Sequence, residues 1–260
     1  MEILLSEKNP LLKQVRRAVQ KGSLTDDGFA IAEGFHLLEE ALKSQAEIGT
    51  VIVAQSVKSA IQSHVKGLKL RVATVRDTDF TNLSSTDTPQ GVIALVKPPV
   101  WTLDQVLRGR VPLIAALDGV QDPGNAGAIL RAAEAFGATG AAFLKGSVSP
   151  YNPKCMRASA GSVFRLPIAI ALDESLLLAA LGKKRGVLYA AMPRAGLLVS
   201  DANFKISCAI VIGSEGRGVS EHLAEHATAL RIPTTGVESL NAAVAAGILF
   251  YEARRQRNAS

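Results

Sequence analysis

Short β-rich runs alternate with helical patterns along the whole chain, and this alternation constrains the fold more than any other feature. Strands that alternate with helices build mostly parallel sheets, because a parallel connection needs room for a crossover helix. The sequence therefore predicts an α/β fold. The expected helices cover residues 10–20, 35–43, 57–64, 126–136, 154–162, a segment after Ser220 and 239–257. The expected strands cover residues 29–32, 50–54, 70–74, 91–96, 111–120, 140–144, 187–191, 209–212 and 229–232.

A break in this pattern marks the border between two domains. Lys97 is followed by Pro98 and Pro99, and consecutive prolines cannot pair in a central strand. We therefore expect a small α/β domain over residues 1–98, a linker over 99–111 and a larger α/β domain over 112–260.

The composition limits the partners and the location of the protein. The 260 residues are 48% hydrophobic, which is enough for a real core, and the net charge of +6 favours a polyanionic partner. Cys155 and Cys208 are too few for a disulfide framework, so we expect two core thiols in a reducing compartment. No apolar run approaches the ~18 residues of a membrane span, and the first residues do not resemble a leader. We expect a cytoplasmic protein without a membrane partner.

Three segments of the second half place Gly, Asn, Ser or Glu between an apolar run and a helical pattern, where α/β proteins build ligand sites. They are LDGVQDPGNAGAILRAAEAFGATG (117–140), VIGSEGRGVS (211–220) and RIPTTGVESLNAAVAAGILFYEARRQR (231–257). The glycine loop of the middle segment has neither the GxGxxG nor the GxxxxGK spacing, which excludes the NAD and ATP interpretations. Taken alone, Asn125 and Ser239 are plausible helix caps. Arg131 is by default a solvated side chain or pairs with Glu134.

In order, spacing and chemistry, the three segments resemble the signature of the SpoU/TrmH family of RNA ribose 2'-O-methyltransferases, part of the SPOUT superfamily. The resemblance implies a trefoil-knotted α/β domain that uses S-adenosylmethionine to methylate a ribose 2'-hydroxyl of RNA. The active-site residues that it implies are Asn125, Arg131, Glu215, Ser239 and Asn241. The cofactor-binding residues that it implies are Ala191, Gly213, Gly216, Ile232 and Leu240.

The role of Arg131 stays open between two chemistries. A guanidinium is effectively always protonated, so the role of a literal general base conflicts with its intrinsic chemistry. We favour an Arg131 that orients the ribose and a neighbouring phosphate, with the phosphate helping to activate the hydroxyl. The family resemblance favours a more direct role. The other four active-site residues would hold Arg131, the substrate and the cofactor loops.

The first domain resembles the family's substrate-binding domain, which is similar to ribosomal protein L30e. This match rests mainly on NPLLKQVRRA (9–18) and AIAEGFHLLEEAL (30–42). By analogy, ribosomal RNA is a better candidate substrate than transfer RNA. Cations here and in NPKCMRASAGSVFRLP (152–167) could position RNA phosphates without reading sequence, although a solvated surface has the same composition. The candidates are Lys13, Arg16, Arg17, Lys154 and Arg157.

The last helical pattern has two interpretations. Leu240, Val244, Ile248 and Tyr251 fall near one helical face, which by itself predicts a buried core helix. The family resemblance instead implies that this helix lies beside the knot and helps to form a homodimer interface.

Two competing functions remain. His222, Glu225 and His226 match the H-x-x-E-H zinc-protease pattern, but the pattern is short and lacks a credible third ligand from elsewhere, so we expect no metal. A non-catalytic RNA-binding or ribosome-assembly factor that retained the fold is the alternative from another class. The full set of polar active-site residues argues against it, because a pure binding module need not keep such an array.

Overall fold

The computed structural model describes residues 3–4, 9–65, 67–193 and 196–258, and the chain divides into two compact units. Unit 1 comprises Met1–Val100 and Tyr151–Arg165, and unit 2 comprises Trp101–Pro150 and Leu166–Ser260. The strands are β1 (Ile3–Leu4), β2 (Ala30–Glu33), β3 (Ile48–Ala54), β4 (Val72–Val75), β5 (Val92–Val96), β6 (Leu113–Asp118), β7 (Gly140–Leu144), β8 (Ile168–Leu172), β9 (Val187–Ala191), β10 (Leu197–Leu198), β11 (Cys208–Gly213) and β12 (Thr228–Arg231). The helices are α1 (Pro10–Lys21), α2 (Phe35–Lys43), α3 (Lys58–His64), α4 (Asp77–Thr81), α5 (Leu103–Val106), α6 (Pro123–Ala135), α7 (Pro153–Ser159), α8 (Ser162–Arg165), α9 (Glu174–Lys183), α10 (Glu221–His226) and α11 (Ala242–Asn258).

Unit 1 is built on a five-stranded mixed sheet in the order β1-β4-β3-β5-β2. Strands β1, β4 and β3 are parallel, while β5 runs antiparallel to both of its neighbours. Helix α1 begins at the cap Asn9, whose Oδ1 accepts a hydrogen bond from Leu11 N at 2.9 Å. Its apolar face, with Leu12 and Val15, enters a core that also contains Phe80. Periodic burial therefore orients α1 with its charged face outward.

The segment Tyr151–Arg165 packs with unit 1, although it lies in the sequence range 112–260 that we expected to form the second domain. The helix expected around 154–162 occurs as α7 but ends at Ser159, and a separate short helix, α8, follows. Ala160 and Gly161 both have positive φ angles, 48° and 89°, which ends α7 and starts a new turn. The borders 1–98, 99–111 and 112–260 stay a prediction.

Unit 2 is built on a seven-stranded sheet in the order β10-β12-β9-β11-β6-β7-β8. Each strand pairing in it is parallel, as the alternating pattern predicts. The central strands β6 and β11 carry the apolar runs LIAALD and CAIVIG and are buried almost throughout. Across the two units, strands β1, β8 and β10 and helices α4, α5 and α9 are elements that the sequence patterns did not indicate. The trefoil knot stays a prediction.

Helix α11 presents an apolar surface to solvent. Its buried side includes Ala246, Leu249 and Phe250, whereas Val244 is 52% exposed and Tyr251 is 57% exposed. The prediction of a buried core helix is therefore wrong for Val244, Ile248 and Tyr251, which lie on the outer face. Large apolar side chains grouped on one outer face are typical of a surface that contacts another molecule.

Both cysteines are free and fully buried, which confirms the prediction of two core thiols. Burial raises the pKa of the Cys208 thiol to about 11, although the guanidinium of Arg257 opposes this shift. In the described part of the chain, no helix combines the length and apolar character needed to cross a membrane.

Candidate active site

A cavity of about 560 Å³ lies in unit 2 at the carboxyl ends of the neighbouring strands β9, β11 and β12. It is called the larger cavity below, because a smaller one adjoins it. Open α/β sheets bind ligands at this edge, and this volume lies within the range of small-molecule sites. All five residues predicted to bind the cofactor line the cavity: Ala191, Gly213, Gly216, Ile232 and Leu240. Glu215, Ser239 and Asn241 from the predicted active site line it as well.

The glycine loop after β11 folds back as a tight hairpin. Ser214 N donates to Gly218 O at 3.0 Å, and Gly218 N donates to Ser214 O at 2.8 Å. A Cβ atom at Gly213 would lie 2.2 Å from the carbonyl carbon of Gly218, so the strand end requires glycine. A Cβ atom at Gly216 would meet no atom within 4 Å. Gly213 therefore permits the fold of the hairpin, while Gly216 leaves space beside the cavity.

A network of three polar side chains, here the Asn125 network (Asn125, Glu215 and Asn241), joins the three sequence segments. Asn125 Nδ2 donates to Glu215 Oε1, and Asn241 Nδ2 donates to Asn125 Oδ1 at 2.9 Å. Asn241 Oδ1 in turn accepts from the backbone N atoms of Ala243 and Val244 at 2.9 and 3.2 Å. The start of α11 thus fixes Asn241, which orients the Asn125 amide and leaves that amide's nitrogen to hold Glu215.

The two predicted helix caps are wrong, and the reason is local. Asp122 caps α6, because its Oδ1 accepts from Asn125 N at 2.7 Å, and Pro123 occupies the first helical position. The side chain of Asn125 is therefore free to join the network. At α11 the cap is Asn241 and not Ser239, because the helix starts at Ala242.

A second, smaller cavity of about 270 Å³ adjoins the same hairpin. Its walls are the segment 119–122 with Asn125, and the hairpin residues 214–217, which also line the larger cavity. Ser147 fixes the start of the segment 119–122 through two hydrogen bonds. Gly119 N donates to Ser147 Oγ at 3.0 Å, and Ser147 Oγ donates to Leu117 O at 2.9 Å. The hairpin residues 214–217 thus form a wall that both cavities share.

Arg131 lies on the solvent-exposed side of α6 and lines neither cavity. It is about 9 Å further along the helix axis than Asn125 and roughly 120° around it. Its guanidinium makes no hydrogen bond or ion pair with any residue that the structure describes. Of the two default alternatives, the solvated side chain therefore agrees with the structure, and the ion pair with Glu134 does not. Unit 2 alone brings together four of the five predicted active-site residues and leaves Arg131 outside.

Arg217 is a cavity residue that the sequence reasoning missed. It lies in the hairpin and lines both cavities. Its position as the one cation inside the loop GSEGRG was a signal that the sequence contained.

The candidate RNA-binding residues of unit 1 fall into two groups. Lys13, Arg17 and Lys154 are exposed, although Arg17 pairs with Asp26 at 3.0 Å, while Arg16 is half-buried. Arg157 is also half-buried and lies within the Glu33 cluster, whose members are Glu33, Ser84, Ser85, Thr86 and Arg157. Its Nη1 lies 3.3 Å from Oε2 of the buried Glu33 carboxylate. These contacts support a structural role for Arg157 more than the predicted phosphate contact.

The possible metal-binding group is exposed and lies apart from both cavities. The ligand atoms of His222, Glu225 and His226 lie within 4.8 Å of one another on the six-residue helix α10. None of the three residues lines either cavity. The expectation that catalysis needs no metal stays a prediction.

A parallel α/β sheet with a cofactor-sized cavity at its carboxyl edge, walled by a glycine hairpin and a fixed carboxylate, defines a cofactor-binding enzyme domain. The model of the SpoU rRNA methylase family matches residues 112–251, and that of the MRM3-like substrate-binding domain matches residues 9–94. The chain belongs to the SpoU rRNA methylase family.

Similar proteins span nearly the whole chain. An uncharacterized tRNA/rRNA methyltransferase of Synechocystis is 33% identical over 98% of this chain and 94% of its own length. The 23S rRNA (guanosine(2553)-2'-O)-methyltransferase RlmP of Bacillus subtilis is 31% identical over 98% of this chain and 100% of its own length. The crystal structure of the SpoU methyltransferase AviRb from Streptomyces viridochromogenes, in complex with AdoMet, has a TM-score of 0.86 at 25% identity. It covers 97% of this chain and 100% of that chain.

Proposed function

We propose that this protein transfers the methyl group of S-adenosylmethionine to a ribose 2'-hydroxyl of RNA, with ribosomal RNA as the substrate. The observation that carries the proposal is the Asn125 network, which fixes a carboxylate in the wall that two cavities share. The RNA methyltransferase names of the relatives, rRNA in the case of RlmP, support the same reaction. We place the reaction in the cytoplasm, where two free buried thiols stay reduced.

The larger cavity fits this cofactor by size and by the chemistry of its lining. Apolar residues at the strand ends, such as Ile212, Leu230 and Ile232, suit the faces of a planar base. The carboxylates of Glu215 and Glu238 line the same cavity and suit ribose hydroxyls or an ammonium group. When bound, S-adenosylmethionine supplies an electrophilic methyl group on a sulfonium.

The residues of the wall act on the acceptor hydroxyl by orientation. Glu215 lines both cavities and has an acceptor oxygen, Oε2, that makes no hydrogen bond within the described chain. This oxygen accepts the hydrogen bond of the ribose hydroxyl and turns the hydroxyl oxygen toward the larger cavity. Asn125 and Asn241 keep the carboxylate in place through their own hydrogen bonds. Arg131, always protonated, binds a phosphate of the RNA and orients the same ribose.

We further propose a homodimer in which Arg131 acts on the partner's cavities. Helices α6 and α11 lie side by side, with Asn241 bonded to Asn125 at one end and the rings of Phe136 and Tyr251 5.7 Å apart at the other. The exposed apolar face of α11 is thus next to the helix that carries Arg131. A two-fold interface on these helices buries that face and completes each site with an Arg131 from the other chain.

Mixed dimers test this arrangement. Arg131→Ala and Glu215→Ala should each abolish methylation when expressed alone. If Arg131 acts across the interface, a heterodimer of the two variants has one intact site, and random mixing restores up to about a quarter of the wild-type activity. Activity that stays absent in heterodimers, or light scattering that shows a monomer, would overturn the proposed interface.

The reaction itself is tested in the cell and in vitro. Mapping of 2'-O-methylation in total RNA, with and without the gene, should show one site that disappears, and we expect it in ribosomal RNA. Titration calorimetry should show S-adenosylmethionine binding that a chelator leaves unchanged, since His222 and His226 lie outside the cavities. RNA binding without any lost methylation would instead favour the non-catalytic assembly factor.

Unit 1 contributes the contact with the rest of the RNA. The outer face of α1 carries Lys13, Arg17 and Lys21 at helical spacing, and the helix contains no acidic residue. The cap of α7 adjoins the end of α1, because a Cβ atom at Gly22 would lie 2.2 Å from Asn152 Nδ2. Lys154 therefore extends the basic face of α1, and the extended face suits an RNA backbone.

A further inference from the structure

We propose that the smaller cavity binds the acceptor ribonucleotide, and that Arg217 holds its phosphate. The inference rests on the proposed methyl transfer and adds to it a ligand for this cavity and a role for a residue outside the predicted site. The observations are the shared wall, the unpaired guanidinium and the distribution of charge within the cavity.

The shared wall places the two cavities next to each other, as a reaction that transfers a group between two bound molecules needs. Residues 214–217 line both of them, so groups held in the two cavities meet at this hairpin. The smaller cavity has about half the volume of the larger one, 270 against 560 Å³. A cofactor with a nucleoside and an amino-acid chain needs the larger space, and one nucleotide of an RNA strand needs the smaller.

Arg217 is held in position by its backbone while its charge stays available. Its N atom donates to Ser214 Oγ at 3.2 Å, and the hairpin around it is closed by two backbone hydrogen bonds. A Cβ atom at Gly119 would lie 3.8 Å from Arg217 Nη2, so the guanidinium lies over the opposite wall of the cavity. Within the described ranges, the guanidinium makes no hydrogen bond and no ion pair. A positioned arginine without a partner is suited to an incoming anion.

The charges in the cavity select the kind of ligand. The carboxylates of Asp122 and Glu215 line the same cavity as Arg217. Free phosphate would gain the Arg217 cation but would also face the Glu215 carboxylate, whose Oε2 makes no hydrogen bond within the described chain. A ribonucleotide satisfies both, because its hydroxyls donate to carboxylates while its phosphate accepts from the guanidinium. The cavity is therefore specific for a group that carries a hydroxyl beside a phosphate, which RNA has and DNA lacks at the 2' position.

Three variants test the role of Arg217. Arg217→Ala should lower kcat/KM for RNA by about 10- to 100-fold, through a higher KM. It should also reduce the salt slope, which is the slope of the logarithm of the RNA binding constant against the logarithm of the salt concentration, by about 1 in magnitude. Arg217→Lys should restore the salt slope but not the full kcat/KM, because lysine cannot form the bidentate contact. Arg108→Ala is the matched control, since Arg108 is an exposed arginine that lines neither cavity.

Calorimetry with S-adenosylmethionine separates this role from cofactor binding. Arg217→Ala should keep the cofactor Kd within about twofold of wild type, because the phosphate lies in the smaller cavity. A tenfold weaker cofactor with unchanged RNA affinity would overturn the inference, and so would an unchanged kcat/KM and salt slope. Absence of any methyl transfer by the wild-type protein would overturn the proposed function instead.

Discussion

The Glu33 cluster of unit 1 and the Asn125 network of unit 2 differ in how completely their hydrogen bonds are satisfied. In unit 1 the Glu33 carboxylate is 5% exposed and accepts from Ser84 Oγ, Ser85 N at 3.0 Å, Ser85 Oγ at 2.6 Å, Thr86 Oγ1 and Arg157 Nη1. In unit 2 the Glu215 carboxylate is exposed and, among the residues that the structure describes, accepts one hydrogen bond, from Asn125. Both networks connect segments that are distant in sequence, so connection alone does not identify a site.

The number of carboxylate oxygens that already accept hydrogen bonds distinguishes a structural network from a functional one. Every oxygen of Glu33 is used within the protein, which leaves no capacity for a ligand. Glu215 and the guanidinium of Arg217 keep capacity and face cavities. A buried, saturated cluster fixes the fold, while an oriented and unsaturated one is able to bind and to react.

The largest expected effect is on stability, at Glu33. Glu33→Ala should lower the free energy of unfolding by about 3 to 5 kcal/mol, because it leaves the half-buried Arg157 and three hydroxyls without this acceptor. Urea unfolding measures the change, and Asp104→Ala, an exposed substitution in the other unit, is the control. A loss below about 1 kcal/mol would show that the Glu33 cluster is not structural.

The next effect is on activity, in the Asn125 network. Asn125→Ala should lower kcat by about 100-fold and change stability by less than about 1 kcal/mol, because a positioning hydrogen bond is lost at an accessible site. Methylation of RNA and urea unfolding measure the two quantities. Asn241→Asp is the matched variant, since it keeps the cap acceptor of α11 but removes the donor to Asn125. Full activity in Asn241→Asp would contradict the network.

The sequence was sufficient for most of the fold because the signals involved are local. Apolar runs such as LIAALD act within a few residues, and the strands that they predict occur in the structure. Strand β8 was missed although its apolar run IAIAL is as long as the run of β9; it lies at the sheet edge, where Ile170 is 47% exposed. The packing of Tyr151–Arg165 with unit 1 depends on the Glu33 cluster, which only tertiary structure creates.

The site was predicted unevenly for a related reason. The cofactor-binding residues follow strand ends, so the motif placed all five of them around one cavity. The side of a helix on which a residue lies is harder to predict from a motif. Arg131 and Asn125 belong to one motif and yet lie on different sides of α6. Nothing in spacing indicated that Asp122 caps α6 and frees Asn125 for the network, since both residues are good caps.

The third expected effect distinguishes the two units at high pH. Burial raises the pKa of Cys208 in unit 2 from 9.0 to about 11, and that of Tyr151 in unit 1 from 10.0 to about 12. Each group binds its proton more tightly in the folded state, so its stabilisation is complete below the unfolded pKa and is lost as the pH rises through the folded pKa. Unit 2 should lose stability between pH 9 and 11 and unit 1 between pH 10 and 12.

Unfolding at a series of pH values measures this order. Cys208→Ala should flatten the decrease between pH 9 and 11 that we assign to unit 2, and Tyr151→Phe should flatten the later one. Cys155→Ala controls for the loss of a buried thiol in unit 1. An unchanged pH profile in Cys208→Ala would show that the thiol is not the group that titrates.

The smallest expected effect on stability concerns the exposed ion pair of unit 1, where Arg17 Nη1 lies 3.0 Å from Asp26 Oδ2 and both side chains are more than half exposed. Asp26→Ala should change the free energy of unfolding by less than about 1 kcal/mol, because solvent and salt screen such a pair. The same variant should strengthen RNA binding about twofold at low salt, since it removes an anion from the basic face and releases Arg17 for a phosphate. Arg17→Ala should do the opposite and weaken binding. If Asp26→Ala instead weakens RNA binding, α1 does not contact the RNA through this face, and the surface proposed for unit 1 is wrong.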